Sequence, residues 1–384
     1  MLIYLIAGEP SGDMLGARLM RALKKQSPNV KIIGVGGENM EKEGLKSLFD
    51  ISDLAIMGLA EVIPSIPKVL RLIKNTVNDI IKNKPDVVIT IDSWSFCARV
   101  HKALRKKKYK TLQMHYVAPQ VWAWKKGRAK TMYKYIDHLL TLFPNEPAYF
   151  TPYNLPTDFV GHPAIESSMV EAKPEDFLQK YQIAPDKKIV LLLPGSRHNE
   201  VSRLLPIFLE TAEELQQRHK DICFVLPTVR TVENRVRTML KERGANILVL
   251  TSQQDRYAAS RAATAAIAAS GTVALELAII NVPHLVAYKV PALTAFLARL
   301  LTNIKYVNLT NILLDRAIVP ELLQENCTKE QLLATTELLL DKTSPLYQTE
   351  QQGFTDLRNA LGFGKVRPSE KAASIIIKAI EGDK

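Results

Sequence analysis

Four loop segments combine residue types that do chemistry with a strand before them and a helical pattern after them. Residues 8–13, Gly8-Glu9-Pro10-Ser11-Gly12-Asp13, have the layout of a phosphate-binding loop. Only two glycines are available there, and two carboxylates, Glu9 and Asp13, would repel a diphosphate. Carboxylates accept hydrogen bonds from sugar hydroxyls, so this loop suits a polyol better than a nucleotide. For Asp13 the bland alternative is a cap on a helix starting at Met14. Asp92 follows the apolar run Val87–Ile91 and is placed to take a proton from a hydroxyl, with a helix cap again the alternative.

The second half offers opposite chemistry. Pro194-Gly195-Ser196-Arg197 follows an apolar strand and precedes a helix. Ser196 and the free amides of the helix start can bind an anion, and Arg197 adds a bidentate cation. Ser270-Gly271-Thr272 opens another helix and offers a second set of amides. Glu276, one turn further on, stands alone among apolar neighbours. A salt bridge to a basic residue would account for it, but beside Arg197 the better partner is a pair of ribose hydroxyls. The pattern is a nucleoside-diphosphate site. No Asp-x-Asp pair is present to hold an ion, so neither a metal nor a cofactor is expected, and Arg197 and helix dipoles must neutralise the leaving group.

Two further motifs carry less. Residues 34–40, Gly-Val-Gly-Gly-Glu-Asn-Met, lack the third glycine of a dinucleotide fingerprint. Trp122 and Trp124 with Lys125, Lys126 and Arg128 could stack on nucleic acid, but a packed loop with a basic exit is the better reading. No nucleic-acid partner is expected.

These loops need strands to hold them. Apolar runs at 2–6, 31–35, 87–91, 111–116, 138–142, 157–160, 189–193, 222–226, 247–250, 265–268 and 284–287 alternate with helical segments. That alternation predicts an α/β fold of two doubly wound, Rossmann-like domains with parallel sheets, facing across a cleft. The polar stretch 168–187 is the expected break. The domains are then 1–168, on the sugar-binding side, and 188–345, on the diphosphate side. Helices in 346–384 are expected to pack back on the first domain.

Composition sets the limits. With 384 residues, 47% of them hydrophobic and 23% charged, each domain can bury a core. A net charge of +12 favours anionic partners. Cys97, Cys223 and Cys327 lack ligand or redox spacing and read as reduced cytosolic thiols. The first apolar run ends at Ala7 without a basic leader, so no signal peptide is expected. The apolar stretch 262–288 is broken by Ser-Gly-Thr and Asn-Val-Pro and is read as buried core, not a membrane span.

Six motifs in order, "AGEPSGD", "YVAPQVWAW", "FVGHP", "LLPGSR", "ASGTVALE" and "LTNILLDRAIVPELLQ", run from residue 7 to residue 324. In these the chain resembles the lipid-A-disaccharide synthases, a family similar to the two-domain GT-B glycosyltransferases. The one departure is Pro10, where many relatives have Ala; it stiffens the loop without removing a chemical group. The resemblance implies inverting transfer of diacylglucosamine from UDP-2,3-diacylglucosamine to the 6-hydroxyl of 2,3-diacylglucosamine 1-phosphate. The products would be UDP and a β-1,6 disaccharide of Gram-negative lipopolysaccharide. It implies that Arg197, Glu276 and Asn311 hold UDP, and the anion-binding chemistry of Ser196 and Ser270–Thr272 places them with that group. Asp92 is then the catalytic acid-base residue, and Glu9, Ser11, Gly12 and Asp13 line the acceptor side. A homodimer with exchanged C-terminal parts is implied as well. Rivals are a UDP-sugar epimerase of the same fold and a basic RNA-binding protein.

Acylated substrates imply a cytoplasmic enzyme peripheral on the inner face of the inner membrane. In residues 65–84, Ile66, Val69, Leu70 and Ile73 lie on one helical face flanked by Lys68, Arg71 and Lys74. That face is the expected lipid contact, with packing against a sheet as the alternative.

Overall fold

The computed structural model describes residues 1–54, 59–119, 129–291 and 305–382; for 59–66 only the backbone is described. The chain forms two compact units, unit 1, Met1–Pro163 with Gly364–Lys384, and unit 2, Ala164–Phe363.

Unit 1 is built on β1 (Leu2–Ala7), β2 (Lys31–Val35), β3 (Val87–Ile91), β4 (Leu112–Tyr116), β5 (His138–Thr141) and β6 (Thr157–Phe159). They pair in the order β2-β1-β3-β4-β5-β6, every pair parallel. Its helices are α1 (Pro10–Gln26), α2 (Glu38–Lys42), α3 (Leu59–Asn83), α4 (Trp94–Lys106) and α5 (Ala129–Met132). Parallel strands buried on both faces need continuous apolar sequence, and Val87-Val88-Ile89-Thr90-Ile91 is buried throughout.

Unit 2 repeats the plan with β7 (Lys188–Leu193), β8 (Ile222–Pro227), β9 (Leu248–Leu250), β10 (Ala265–Ala269), β11 (His284–Tyr288) and β12 (Glu321–Leu323). The order is β12-β11-β10-β7-β8-β9, again all parallel. Alternate residues of β7 enter opposite cores. Val190 and Leu192 meet α8 (His198–Arg218) and α9 (Arg230–Arg243). Ile189, Leu191 and Leu193 join Phe177 of α7 (Pro174–Lys180) and Leu277 of α11 (Thr272–Ile279).

Each sheet has one place where the strand order reverses, between β1 and β3 in unit 1 and between β7 and β10 in unit 2. Ligands of open α/β sheets bind outside the carboxyl ends of the strands at such points. Ala7 pairs with Ile91, so the loops after β1 and β3 leave the sheet side by side. The loops after β7 and β10 do the same, with Leu193 paired to Ala268.

All eleven expected strands are present, and β12 is an addition. The stretch 168–187 is not a linker. It forms α6 (Ser168–Glu171) and α7, and buries Met169 and Phe177 in the unit 2 core. The division therefore falls at Pro163, five residues before the expected boundary. The carboxy-terminal segment also divides differently. Pro345–Leu361 is part of unit 2, and only the chain from Gly364 joins unit 1. There the helix Pro368–Gly382 lies along α1, with Glu370 on Lys25 at 2.8 Å and Ser374 donating to Gln26 at 2.9 Å.

The helical face expected to meet lipid is mostly core. Ile73, Val77 and Ile80 of α3 pack against Val88 and Val100, and Val69 is half-buried on the same cluster. Of the three expected residues whose side chains are described, Leu70 alone is exposed, at 56%; the side chain of Ile66 lies outside the described residues. A stripe with helical spacing fits a sheet as well as a membrane, and here the sheet takes it. Ile73→Ala should therefore cost about 2–4 kcal/mol and Leu70→Ala less than about 0.5 kcal/mol. Urea titrations followed by circular dichroism check the contrast, and equal effects would contradict the packing described.

Candidate functional site

At the unit 1 switch point the β3–α4 turn adopts a demanding backbone. Asp92 and Ser93 have φ of +56° and +40°, both left-handed and neither a glycine. Consecutive residues in that region carry strain and persist only where their surroundings fix them. The Asp92 N–H donates to the Tyr116 carbonyl at 2.9 Å, and its Oδ1 accepts from the Ser93 N–H at 2.8 Å. Its Oδ2 accepts from the Ser11 hydroxyl at 2.9 Å. Asp92 is thus oriented while remaining partly exposed. Glycines let the neighbouring loop come this close. A Cβ on Gly12 would stand 3.0 Å from the Ile91 carbonyl, and one on Gly8 would stand 2.9 Å from Ser93 Oγ. Glu9 occupies the N-cap position of α1, makes no capping bond with its side chain, and is exposed. The structure therefore brings Glu9, Ser11, Gly12 and Asp92 together.

Asp13 is not among them. It is 2% exposed and accepts four hydrogen bonds. Three come from the backbone N–H groups of Gly37 (2.8 Å), Asn39 (2.9 Å) and Met40 (3.0 Å), and one from the Asn39 side chain (2.8 Å). Those donors use the four lone-pair sites of a carboxylate, leaving none for a sugar. α1 also begins at Pro10, so Asp13 does not cap it either. Its role is to hold the start of α2, and the Gly-Gly-Glu-Asn segment is its receptor.

Behind the Asp92 turn lies a buried polar chain. Thr90 Oγ1 bonds His101 Nε2 at 2.8 Å and His115 Nδ1 at 2.7 Å, and His101 Nδ1 meets Gln113 Oε1 at 2.8 Å. Trp94, the first residue of α4, packs on His115 at 4.7 Å. Gln113 can only accept through Oε1, so His101 carries its proton on Nδ1 and takes the Thr90 hydroxyl proton at Nε2. Thr90 in turn accepts from His115 Nδ1–H. Burial drives both imidazoles toward the neutral form, His101 down to about 4 and His115 down to about 3.

In unit 2 a cavity of about 450 Å³ opens at the β7/β10 switch point. Ser196, Arg197, Ser270, Gly271, Thr272 and Glu276 all line it. Gly195 has φ +111°, which glycine permits, and its missing side chain makes room for Glu200. Glu200, in the first turn of α8, accepts from the Ser196 N–H at 3.2 Å and pairs with Arg197 at 2.9 Å. A carboxylate of the chain therefore rests where the anion-binding groups converge. The Arg197 side chain is 81% exposed, so an incoming anion can reach it. Gly271 starts α11 without a side-chain cap, leaving first-turn amides toward the cavity. Glu276 is half-buried at its wall.

Asn311 is elsewhere. It is 1% exposed, and all four of its hydrogen-bonding positions are used within its own loop. Its Oδ1 accepts from the N–H groups of Ile318 and Val319, and its Nδ2 donates to the Val319 carbonyl and Glu321 Oε1. It does not line the cavity, and its side chain clamps residues 311–321. Thr228, Arg256 and Tyr257 line the cavity without having been foreseen. A lone arginine inside a short polar helix carries no signal in sequence. Trp122, Trp124, Lys125, Lys126 and Arg128 lie outside the described residues.

Two parallel, doubly wound sheets, each with its polar loops at the reversal of strand order, define the GT-B class of nucleotide-sugar enzymes. Solved structures agree on the fold. A UDP-GlcNAc 2-epimerase from Neisseria meningitidis bound to UDP-GlcNAc has a TM-score of 0.66 at 12% identity, covering 100% of both chains. MurG from Acinetobacter baumannii has 0.58 at 14% identity, covering 98% of this chain and 99% of that one. A family profile for lipid-A-disaccharide synthetase matches residues 3–376, and the chain belongs to that family. Lipid-A-disaccharide synthase from Paramagnetospirillum magneticum is 45% identical, covering 100% of this chain and 99% of the relative. The enzyme from Rhodospirillum centenum is 44% identical, covering 99% and 95%. Family membership makes the chain a glycosyltransferase and disfavours the epimerase, whose likeness is in fold alone.

Two outcomes follow from the buried groups. Asp13→Ala strands three backbone amides and should lower stability by roughly 3 kcal/mol in urea titration, an unchanged midpoint contradicting the clamp. Acid should weaken unit 1. His101 and His115 have folded pKa values below the unfolded 6.5, so the unfolded chain binds more protons once pH falls below 6.5. Stability is then lost as pH drops from 6.5 toward 4, by about 2 kcal/mol per histidine at pH 5. Urea midpoints at pH 6.5 and 5 should differ less in His115→Gln than in the parent chain.

Proposed function

We propose that this chain joins UDP-2,3-diacylglucosamine to the 6-hydroxyl of 2,3-diacylglucosamine 1-phosphate, releasing UDP and forming a β-1,6 disaccharide. The observation that carries the reading is the unit 2 cavity, where Arg197, the Ser270–Thr272 amides and Glu276 converge at the switch point. Family membership supplies the substrates.

The α-linked donor and β-linked product require attack on the anomeric carbon from the face opposite UDP. As the acceptor hydroxyl attacks, its proton passes to the Asp92 carboxylate. Ser11, which donates to Oδ2, and the Ser93 N–H, which donates to Oδ1, keep that carboxylate oriented. Glu9 is exposed beside it and accepts hydroxyls of the sugar. Negative charge grows on the departing diphosphate, and Arg197 with the first-turn amides of α11 neutralises it. Glu276 takes the ribose hydroxyls.

The enzyme works at a membrane surface as a peripheral protein. Among the described residues no helix is long and apolar enough to cross a membrane. Leu70 is exposed on α3 amid the exposed cations Lys68, Arg71 and Lys74, which suits an anionic lipid surface.

UDP release from UDP-2,3-diacylglucosamine should require the monosaccharide 1-phosphate acceptor. Turnover of a UDP-sugar with no acceptor would point to epimerase chemistry instead. Asp92→Asn should lower kcat by about 10²–10⁴-fold with the fold intact, and near-normal turnover would remove Asp92 as the base. Leu70→Gln with Arg71→Gln and Lys74→Gln should abolish pelleting with anionic vesicles, while unchanged pelleting would place the lipid contact elsewhere.

A further inference from the structure

The turn that carries Asp92 already fixes its carboxylate. The Asp92 N–H is tied to the Tyr116 carbonyl at 2.9 Å, and Oδ1 accepts from the Ser93 N–H of the same turn at 2.8 Å. For orientation alone a further bond is redundant. Yet Oδ2 accepts from the Ser11 hydroxyl at 2.9 Å, which comes from the loop after β1. That loop is shaped to deliver it. Pro10 fixes the backbone at the first position of α1, and Gly12 lets the helix start stand against the Ile91 carbonyl.

Ser11 is also the outer member of the pair. It is exposed, whereas Asp92 is only partly so. A hydroxyl carries one proton and two lone pairs. With its proton directed at Asp92, Ser11 keeps its lone pairs for another donor. An alcohol that arrives from solvent therefore meets an acceptor already bonded to the base. Ser11 lies in the first turn of α1, where the helix dipole favours negative charge passing through Oγ.

We propose that Ser11 is a catalytic residue that relays the proton of the acceptor hydroxyl to Asp92. The 6-hydroxyl oxygen bonds to the anomeric carbon, and the bond from that carbon to UDP breaks with its electron pair. In the same step the 6-hydroxyl proton moves to Ser11 Oγ, and the proton Ser11 held moves to Asp92 Oδ2. Ser11 ends as it began, Asp92 ends protonated, and the negative charge departs with UDP. This inference rests on the reading of Asp92 as the base.

Single-turnover rates in mixtures of H2O and D2O test it, with UDP-2,3-diacylglucosamine and the monosaccharide 1-phosphate as substrates. Two protons in flight bow the plot of rate against deuterium fraction, and a single proton leaves it straight. The parent chain should give a bowed plot. Ser11→Ala should give a straight one, with the rate lowered about 10²-fold and UDP affinity unchanged. Ser11→Thr, which keeps the hydroxyl, should restore the bow and most of the rate. Urea midpoints matching the parent's show that the variants fold. A straight plot for the parent chain would overturn the proposal, whatever the variants do. So would a plot still bowed in Ser11→Ala, which would leave Ser11 an orienting contact. Near-normal turnover of Asp92→Asn would instead remove the base on which the relay depends.

Discussion

A parallel sheet forces every connection to cross back, so all its strand-to-helix loops collect along one edge. Both units obey that constraint, and it places the chemistry. In unit 1 the neighbours at the reversal, β1 and β3, deliver Glu9, Ser11 and Asp92 to one spot, although 81 residues separate Ser11 from Asp92. In unit 2, β7 and β10 deliver Arg197 and Ser270–Thr272 in the same way. The first edge gathers carboxylates and a hydroxyl; the second gathers a cation and helix-start amides, with the carboxylates of Glu200 and Glu276 beside them.

Holding such groups at an edge needs support from beneath. The left-handed pair Asp92–Ser93 sits on β3, and Thr90 of that strand is fixed by two neutral imidazoles. Trp94 closes over them from the first turn of α4. The strain of the turn is thus opposed by bonds on either side of it, from Thr90 below and from Tyr116 on the next strand. Asp13 does the same for α2 by neutralising four donors at once.

The sequence was legible where local pattern decides the outcome. Val87–Ile91 and Ile189–Leu193 are apolar enough to be strands in almost any setting, and Pro-Gly-Ser-Arg after a strand has few other uses. It was not legible where a partner lies at a distance. Asp13 looks like a ligand residue until its donors, 24 to 27 residues away, are known. Asn311 matches a motif, but its bonds run to residues 318–321. Ile73 has the spacing of a lipid-facing stripe, and only the sheet beneath it reveals core. Phe177 and Met169 are too few to lift 168–187 above a polar linker, and three residues of β12 are too short to register. Arg256 is an ordinary helix arginine until the cavity around it is seen.

Glu200 bears on the end of a catalytic cycle. Its carboxylate already occupies Arg197 and the Ser196 amide, so under the proposed function an arriving UDP must evict it and a departing one is replaced by it. The exchange trades one anion for another without stranding the cation, which lowers affinity but also lowers the barrier to escape. A chain with a shorter or neutral residue at position 200 would clasp its spent nucleotide longer, and product dwell time would rise even as binding improved.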